Sequence, residues 1–230
     1  MSKKNLYTAL GHFERRKNGC GRFCPVVILN GKEYLIDLQE LVLWSSLNGQ
    51  ILNREEIGVL YIKTTLGTSC AVNRPWEACL DQLLLRGLIV VGNGDSEYDA
   101  LYDLLRPLSI VPIDGSYQFR CASFIREIFS QHASAKNVWK WIHHKHQSNN
   151  EKWIMILAKT LLSTEEIIKY VEQDIHDLSK DRFLSNTVHE DLETDSDNVI
   201  SIACARLGRE KIILAVANLY LRKQIIFERV

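Results

Sequence analysis

The sequence predicts a mainly α-helical protein with small β-hairpins, in which two similar modules are joined by a helical linker. Three observations predict this class. Apolar residues recur at helical spacing between capping residues along most of the chain, and one Asn-Gly pair separates two short apolar runs. A set of residues from the first half also returns in the second half at constant offsets, which indicates two copies of one folding unit.

The chain begins with a basic segment that precedes a predicted β-hairpin. Residues 1–32 contain seven Lys or Arg and one acid, Glu14. Apolar runs then lie on both sides of Asn30-Gly31, and both of these residues tolerate the positive φ of a type I′ turn. We therefore expect residues 1–22 to form a flexible basic arm and the segment after it to fold as a hairpin.

Three helices and a short strand are expected after the hairpin. Apolar side chains recur at helical spacing over residues 38–47, and a capping box at residues 53–56 opens a second helix. A third helix begins near Pro75, because proline suits the first turn of a helix. Gly87 ends that helix, and residues 88–91 have the composition of a short strand.

The second half of the chain repeats this pattern at two offsets. At an offset of 110, the first-half residues Leu47, Ile51, Leu52, Asn53, Glu55, Glu56 and Ile57 correspond to Leu157, Leu161, Leu162, Ser163, Glu165, Glu166 and Ile167. At an offset of 136, Leu83–Arg86 and Ile89 correspond to Leu219–Arg222 and Ile225. The second copy therefore contains an insert between its second and third helices, at residues 177–200, and the surrounding segment is acidic.

The predicted order of elements resembles that of the winged helix-turn-helix superfamily, without indicating a specific family within it. This order is a helix, a turn, a second helix, a third helix and then a strand. The resemblance implies a first winged-helix-like module at residues 23–113 and a second at residues 149–230, which contains the acidic insert. Residues 114–148 would be the helical linker between these tandem modules. The internal repeat also implies that the modules share one fold.

Composition excludes several classes of protein. The chain has 28 Lys or Arg against 28 Asp or Glu, and 46% of its 230 residues are apolar, which is unlike a disordered chain. No apolar signal core follows Met1, and the longest apolar stretch, 212–221, is shorter than the roughly 20 residues that a membrane-spanning helix needs. Six scattered cysteines favour reduced thiols in a cytoplasmic protein.

Motifs for catalysis, cofactors and metals are missing from the sequence. There is no Gly-x-Ser-x-Gly elbow and no phosphate-binding loop, and Gly92-Asn93-Gly94 is expected to be a tight turn rather than part of a dinucleotide site. We therefore expect no enzyme, no cofactor and no metal site. Redox or metal sensing by Cys20 and Cys24 is left open.

Two basic clusters nevertheless favour DNA. The local charge is +6 over residues 1–32 and +4 over residues 201–230, and positive clusters of this kind neutralise phosphates. The candidate DNA-binding residues are Arg15, Arg16, Lys17, Arg206, Arg209, Lys211, Arg222 and Lys223. We therefore expect a cytoplasmic, bacterial transcriptional regulator that binds duplex DNA, with a homodimer as one possible assembly.

An alternative function comes from the same segments. Residues 212–217 are apolar almost all round, as in a helix buried in a core or a dimer interface. The first module's third helix carries Glu77 and Asp81, which phosphates would repel. The alternative is an interaction module that binds another protein and never DNA.

Overall fold

The computed structural model describes residues 3–17, 19, 23–66, 73–113, 148–160, 163–172 and 196–230. The helices in this part of the chain are α1 (Leu38–Leu47), α2 (Arg54–Leu66), α3 (Trp76–Leu85), α4 (Glu97–Leu105), α5 (Asn149–Leu157), α6 (Thr164–Glu172) and α7 (Ser196–Leu221), with a 3-10 turn at Ala158–Thr160. The strands are β1 (Lys4–Ala9), β2 (His12–Lys17), β3 (Phe23–Leu29), β4 (Lys32–Leu35), β5 (Ile89–Gly94), β6 (Leu108–Pro112) and β7 (Ile225–Arg229).

The protein is mixed α/β, so the predicted mainly α class is wrong, and tandem winged-helix modules are not evidenced. The described strands form three antiparallel sheets, with the strand orders β1-β5, β2-β3-β4 and β6-β7. After β5 the chain enters α4, and the partner of β5 is β1, at the other end of the first half.

The prediction of a flexible basic arm is also wrong, because most of residues 1–22 lie in β-strands. Residues 4–9 and 12–17 form β1 and β2, and the side chains of Tyr7, Thr8 and Leu10 are buried. Their burial follows from pairing with β5 in the register Lys4↔Gly94. The amide of Leu10 extends this pairing by donating to the Leu88 carbonyl oxygen at 2.9 Å.

The hairpin at Asn30-Gly31 is confirmed. Strands β3 and β4 pair in antiparallel register across it, and Asn30 and Gly31 have φ values of 50° and 72°. Two consecutive positive φ values are the geometry of a type I′ turn, which matches the twist of the paired strands. Strand β2 adds to the open side of β3 and completes a three-stranded meander.

The predicted helices of the first half are confirmed, and their caps explain where they begin. Asp37 caps α1 in a capping box with Glu40, and the Asn53 side chain accepts from the Glu56 amide at 2.9 Å at the start of α2. Pro75 is the N-cap of α3, and Gly87 follows its end with φ of 70°.

The expected turn at residues 92–94 is a further correction, because β5 continues to Gly94. A Cβ on Gly92 or Gly94 would overlap the backbone of α4 at Ala100. These glycines therefore allow α4 to lie directly against the strand. The helix itself begins one residue after Ser96, which caps it in a capping box with Asp99.

Strand β6 moves the boundary between the two halves. It precedes the region predicted as the linker, yet it pairs with β7 in the register Leu108↔Arg229. The first unit therefore comprises β1–β5 and α1–α3, and the second unit comprises β6, α5–α7 and β7, with α4 between them. The linker prediction at 114–148 and the insert prediction at 177–200 lie outside the described residues, except at Ser148 and at residues 196–200 of α7.

The two units make the same backbone contacts at corresponding positions. In the first unit the Leu88 amide donates to the Leu83 carbonyl oxygen at 2.9 Å, and in the second the Gln224 amide donates to that of Leu219 at the same distance, an offset of 136. The isolated bridge Tyr7↔Leu52 likewise has a counterpart in the second unit, between Ser109 and Ser163. The shared contacts show that the described parts of both units have one local framework.

The units pack against each other through one hydrophobic core. Tyr220 of α7 is buried, and its hydroxyl donates to the Ala9 carbonyl oxygen of β1 at 3.0 Å. Its ring stacks on Phe227, and the carbonyl oxygen of Phe227 accepts from the Gly11 amide at 2.8 Å. No described helix combines the length and apolarity that crossing a membrane requires.

Candidate functional site

The predicted basic residues of the N-terminal segment lie on β2. Arg15, Arg16 and Lys17 are exposed at the edge of the three-stranded sheet. Arg16 forms ion pairs with Glu14 at 3.1 Å and with Glu33 at 2.8 Å, so part of its charge is neutralised within the sheet. The ordered strand replaces the flexible arm that the sequence predicted.

The predicted basic residues of the second half make different contacts. The guanidinium of Arg209 lies 5.5 Å from the ring centre of Tyr102, and Lys211 is exposed on α7. Arg222 forms an ion pair with Glu151 at 3.1 Å. Lys223 has its side-chain stem against Gly49 of the first unit. The side chain of Arg206 lies outside the described residues.

Two of these residues also make contacts within the framework, and their binding of DNA stays a prediction. Arg222 is tied to a buried carboxylate, and Lys223 occupies the left-handed position after α7 with φ of 57°. The α7 segment that precedes them is largely buried, including Ile213 and Val216. The sequence left open whether residues 212–217 belong to a DNA-contacting helix or to a buried one. In the structure they lie in a helix that is largely buried.

A buried glutamate paired with an arginine occurs in both units. Glu40 of α1 and Glu151 of α5 are each the third helical residue of a capping box, and both are almost fully buried. Glu40 forms an ion pair with Arg86 at 3.0 Å, and Glu151 forms the corresponding pair with Arg222. Arg86 and Arg222 follow the third helix of their units at an offset of 136, so this pair belongs to the shared framework.

The first unit adds a second arginine to its pair. Arg74 precedes α3, and its Nη2 atom lies 2.6 Å from Asp37 Oδ2 and 3.2 Å from Glu40 Oε1. Its Nε atom donates to Cys79 Sγ at 2.9 Å. Burial raises the pKa of the Cys79 thiol, against the opposing effect of the Arg74 hydrogen bond, so the thiol is held neutral.

An open cavity of about 480 Å³ adjoins this cluster. Its apolar walls are Pro25, Ile36 and Leu38, and its polar walls are Asp37, Gln39, Asn73 and Arg74. The buried Gln39 side chain fixes the polar wall, since it donates to the Arg74 carbonyl oxygen at 2.5 Å and accepts from the Asn73 amide at 3.3 Å. We call the residues Asp37, Glu40, Arg74 and Arg86 the charged cluster.

A second surface feature is the outer face of α2. Val59, Ile62 and Leu66 are 69%, 55% and 85% exposed, and their spacing places them along one side of the helix. The opposite side carries Ile57 and Tyr61 into the core. Helix α2 is therefore apolar on two faces, only one of which the described residues cover. We call Val59, Ile62 and Leu66 the α2 stripe.

Sequence reasoning missed both features. The role of Glu40 could have been predicted from the sequence, because Glu40 stands three residues after Asp37 in a capping box and Arg86 is part of the repeat. The cavity could not have been predicted, since packing brings Pro25 and Arg74 together. No group of three or more metal-ligating side chains occurs among the described residues, and Cys20 lies outside them.

Comparison with known proteins adds no family. No protein-family model, no curated protein and no solved structure matches this chain. The function proposed for it therefore depends on the geometry of its own residues.

Proposed function

We propose that this protein is an interaction module that binds another protein through the α2 stripe. The observation that carries the proposal is the exposure of Val59, Ile62 and Leu66 on one side of a helix whose other side is already packed. Large apolar side chains grouped on a surface are typical of sites where a partner covers them. Because the core does not need them, a partner is the natural explanation for their type and spacing.

The chemistry of the stripe indicates an apolar helix or groove on the partner. Spacing of three and four residues matches the anchors of a helix that lies against an apolar surface. Glu55 and Lys63, both exposed, flank the stripe along α2 and supply a polar rim. Burying apolar side chains releases about 25 cal/mol per Å² of surface removed from water, so such an interface would be little affected by salt.

A site-specific photocrosslinker in place of Ile62, in the full chain expressed in its own host, tests this proposal. We expect a discrete protein adduct from position 62, either with a different protein or with a second copy of this chain. The matched control is the same crosslinker at Arg54, an exposed residue on a different side of the same helix, which we expect to give little adduct. Equal labelling from both positions, or none from either, would contradict the proposal.

A substitution extends this experiment. Leu66→Asp places a charge in the stripe at a residue that is 85% exposed, so the fold should be retained. We expect the adduct from position 62 to be lost in this variant and kept in Lys63→Asp. Circular dichroism and a thermal unfolding curve of both variants show whether a lost adduct reflects binding or folding.

DNA binding is kept as a second candidate, on the evidence of β2. Arg15 and Lys17 alternate along this exposed strand and therefore share one face, with Arg16 on the other. Charged residues on an edge strand also protect it from pairing with other chains, which is the competing explanation. The regulator function expected from the sequence would use this strand together with the basic residues of α7 and its end, of which Lys211 is exposed.

Retention on duplex DNA at increasing salt tests the second candidate. If several phosphates are contacted, affinity should fall steeply between about 50 and 200 mM salt. Arg15→Glu with Lys17→Glu should then abolish retention, whereas Glu55→Gln should not change it. Absence of retention at the lowest salt would exclude the DNA function while leaving the α2 proposal standing. The cytoplasmic location stays part of both proposals, because the described cysteines, Cys24 and Cys79, are free thiols.

A further inference from the structure

We propose that the cavity beside the charged cluster binds a small zwitterion, an α-amino acid with an apolar side chain. This inference is independent of the α2 stripe and concerns different residues of the first unit. It depends on three observations: an accessible ion pair on the cavity wall, apolar residues opposite it, and different residues at the corresponding positions of the second unit.

The ion pair offers one group of each charge to a ligand. The Arg74 and Asp37 side chains are 28% and 51% exposed, and both line the cavity. The contacts of Arg74 with Asp37, Glu40 and Cys79 involve its Nη2 and Nε atoms. Its Nη1 atom is in none of these contacts and remains a donor for a carboxylate, which guanidinium groups bind well. The exposed Asp37 carboxylate is the matching acceptor for an ammonium group.

The charge of the cluster selects against simple ions. Its two carboxylates, from Asp37 and Glu40, balance its two guanidinium groups, from Arg74 and Arg86. An anion placed on Arg74 would be repelled by Asp37 nearby, and a cation on Asp37 would be repelled by Arg74. A ligand that carries both charges on neighbouring atoms satisfies both groups at once. An α-amino acid has that arrangement.

The other wall of the cavity specifies the side chain of the ligand. Pro25, Ile36 and Leu38 present apolar surface there, and Leu38 is 63% exposed although it begins a helix. A volume of about 480 Å³ lies within the usual range for small-molecule pockets, roughly 300–1,000 Å³. A leucine-sized side chain would cover the exposed part of Leu38 and leave the charged end on Arg74 and Asp37.

The second unit shows that the ion pair is not required by the framework. Ser148 stands at the position of Asp37 and forms the same capping box with the buried glutamate. At the offset of 136, the position of Arg74 is occupied by Glu210. The Glu151–Arg222 pair therefore forms with neither an arginine at that position nor an acidic cap. The two residues that distinguish the first unit at these positions both line the cavity.

Isothermal titration of the full chain with leucine and its two singly charged analogues tests the inference. Leucinamide lacks the carboxylate and N-acetylleucine lacks the ammonium group. We expect leucine to bind and each analogue to bind about tenfold more weakly or worse, because each leaves one charge of the site without its partner. Equal binding of leucine and N-acetylleucine would replace the zwitterion site by an anion site, and no heat with leucine at about 10 mM would overturn the inference altogether.

A variant that copies the cap of the second unit provides the structural control. Asp37→Ser keeps a side chain that caps α1, as Ser148 caps α5, so the fold is expected to persist. Leucine affinity should fall about tenfold in this variant and in Arg74→Gln, and should stay unchanged in Arg15→Gln on β2. Unchanged leucine affinity in both cluster variants would show that leucine binds elsewhere. The leucine and α2 crosslinking experiments use different residues, so either proposal can fail alone.

Discussion

The two units of this chain share a set of framework contacts and differ in the residues that surround these contacts. Each closes its third helix with an arginine that pairs to a buried glutamate, and each pairs its last strand with the strand that begins the unit. In the first unit, Arg74 and Asp37 extend this pair toward an open cavity. In the second, Tyr220 at the equivalent position of Leu84 connects the unit to its neighbour.

This difference between the units distinguishes residues that stabilise the fold of each unit from residues that are candidates for function in one unit. Positions with the same contacts in both units, such as Glu40 and Glu151, belong to the framework. Positions that differ are free to serve one unit alone. On this basis the pair of Arg222 with Glu151 belongs to the framework, and Arg74 is a candidate for binding despite its ion pairs. Substitutions at matched positions test the distinction.

The largest effect is expected at the position shared by Tyr220 and Leu84. Tyr220→Ala removes a fully buried ring and three polar contacts between the units, and we expect a loss of about 3–5 kcal/mol in the free energy of unfolding. Leu84→Ala should lose about half as much, because Leu84 is only partly buried. Urea unfolding of both variants measures the two losses. Equal losses would show that Tyr220 contributes no more to stability than Leu84 does.

Raising the pH should weaken the same interface. Burial raises the pKa of the Tyr220 hydroxyl to about 12, whereas an unfolded tyrosine has a pKa near 10. Below about pH 10 both states keep the proton and the stabilisation is fully present. Between about pH 10 and 12 the unfolded state releases the proton first, so the free energy of unfolding falls, by about 2–3 kcal/mol at the upper end.

Tyr220→Phe isolates this titration from that of the other tyrosines. Unfolding free energies of wild type and variant, measured in urea from about pH 9 to pH 12, should converge as the pH rises, because the variant has no proton to lose at this position. Parallel curves would show that the Tyr220 hydroxyl has the same pKa in the folded and unfolded chains.

Local elements of the fold could be predicted from the sequence, and non-local ones could not. The hairpin at Asn30-Gly31 and the cap at Asn53 depend on residues within a few positions of each other. Strand β1 has no such signal, because its partner β5 lies far along the chain and its own apolar run is short. The basic composition of residues 1–22 therefore suggested an arm where packing makes two strands.

The candidate site shows the same limit. The repeat at an offset of 136 included Arg86 and Arg222, but their partners Glu40 and Glu151 are related by an offset of 111, outside the matched set. Charge alone marked Arg222 as a DNA contact. Its contact with the framework became evident only when the buried carboxylate of Glu151 beside it was known, and its contact with DNA stays a prediction.

Substitutions of the two buried glutamates compare the ion pairs of the first unit with that of the second. Glu40→Gln removes a carboxylate that pairs with two guanidinium groups, those of Arg74 and Arg86, whereas Glu151→Gln removes a carboxylate that pairs with Arg222. We expect both variants to lose about 1–3 kcal/mol in the free energy of unfolding, measured in urea, with the greater loss for Glu40→Gln. Glu56→Gln, in an exposed capping box, is the matched control and should lose less. A greater loss for Glu151→Gln would mean that Arg74 does not share in the stabilisation.

The smallest effect concerns the residue after the third helix. Gly87 and Lys223 both have positive φ there, at 70° and 57°, a conformation that glycine adopts freely and lysine does not. Lys223→Gly removes that backbone strain but also removes the side-chain stem that packs on Gly49. Lys223→Ala removes the same stem and keeps the strain. The glycine variant should therefore be more stable than the alanine variant by about 1 kcal/mol, and Gly87→Ala should be less stable than wild type by about the same amount. Thermal unfolding compares the three, and equal stability of the two Lys223 variants would show that the second unit accommodates the left-handed residue without strain.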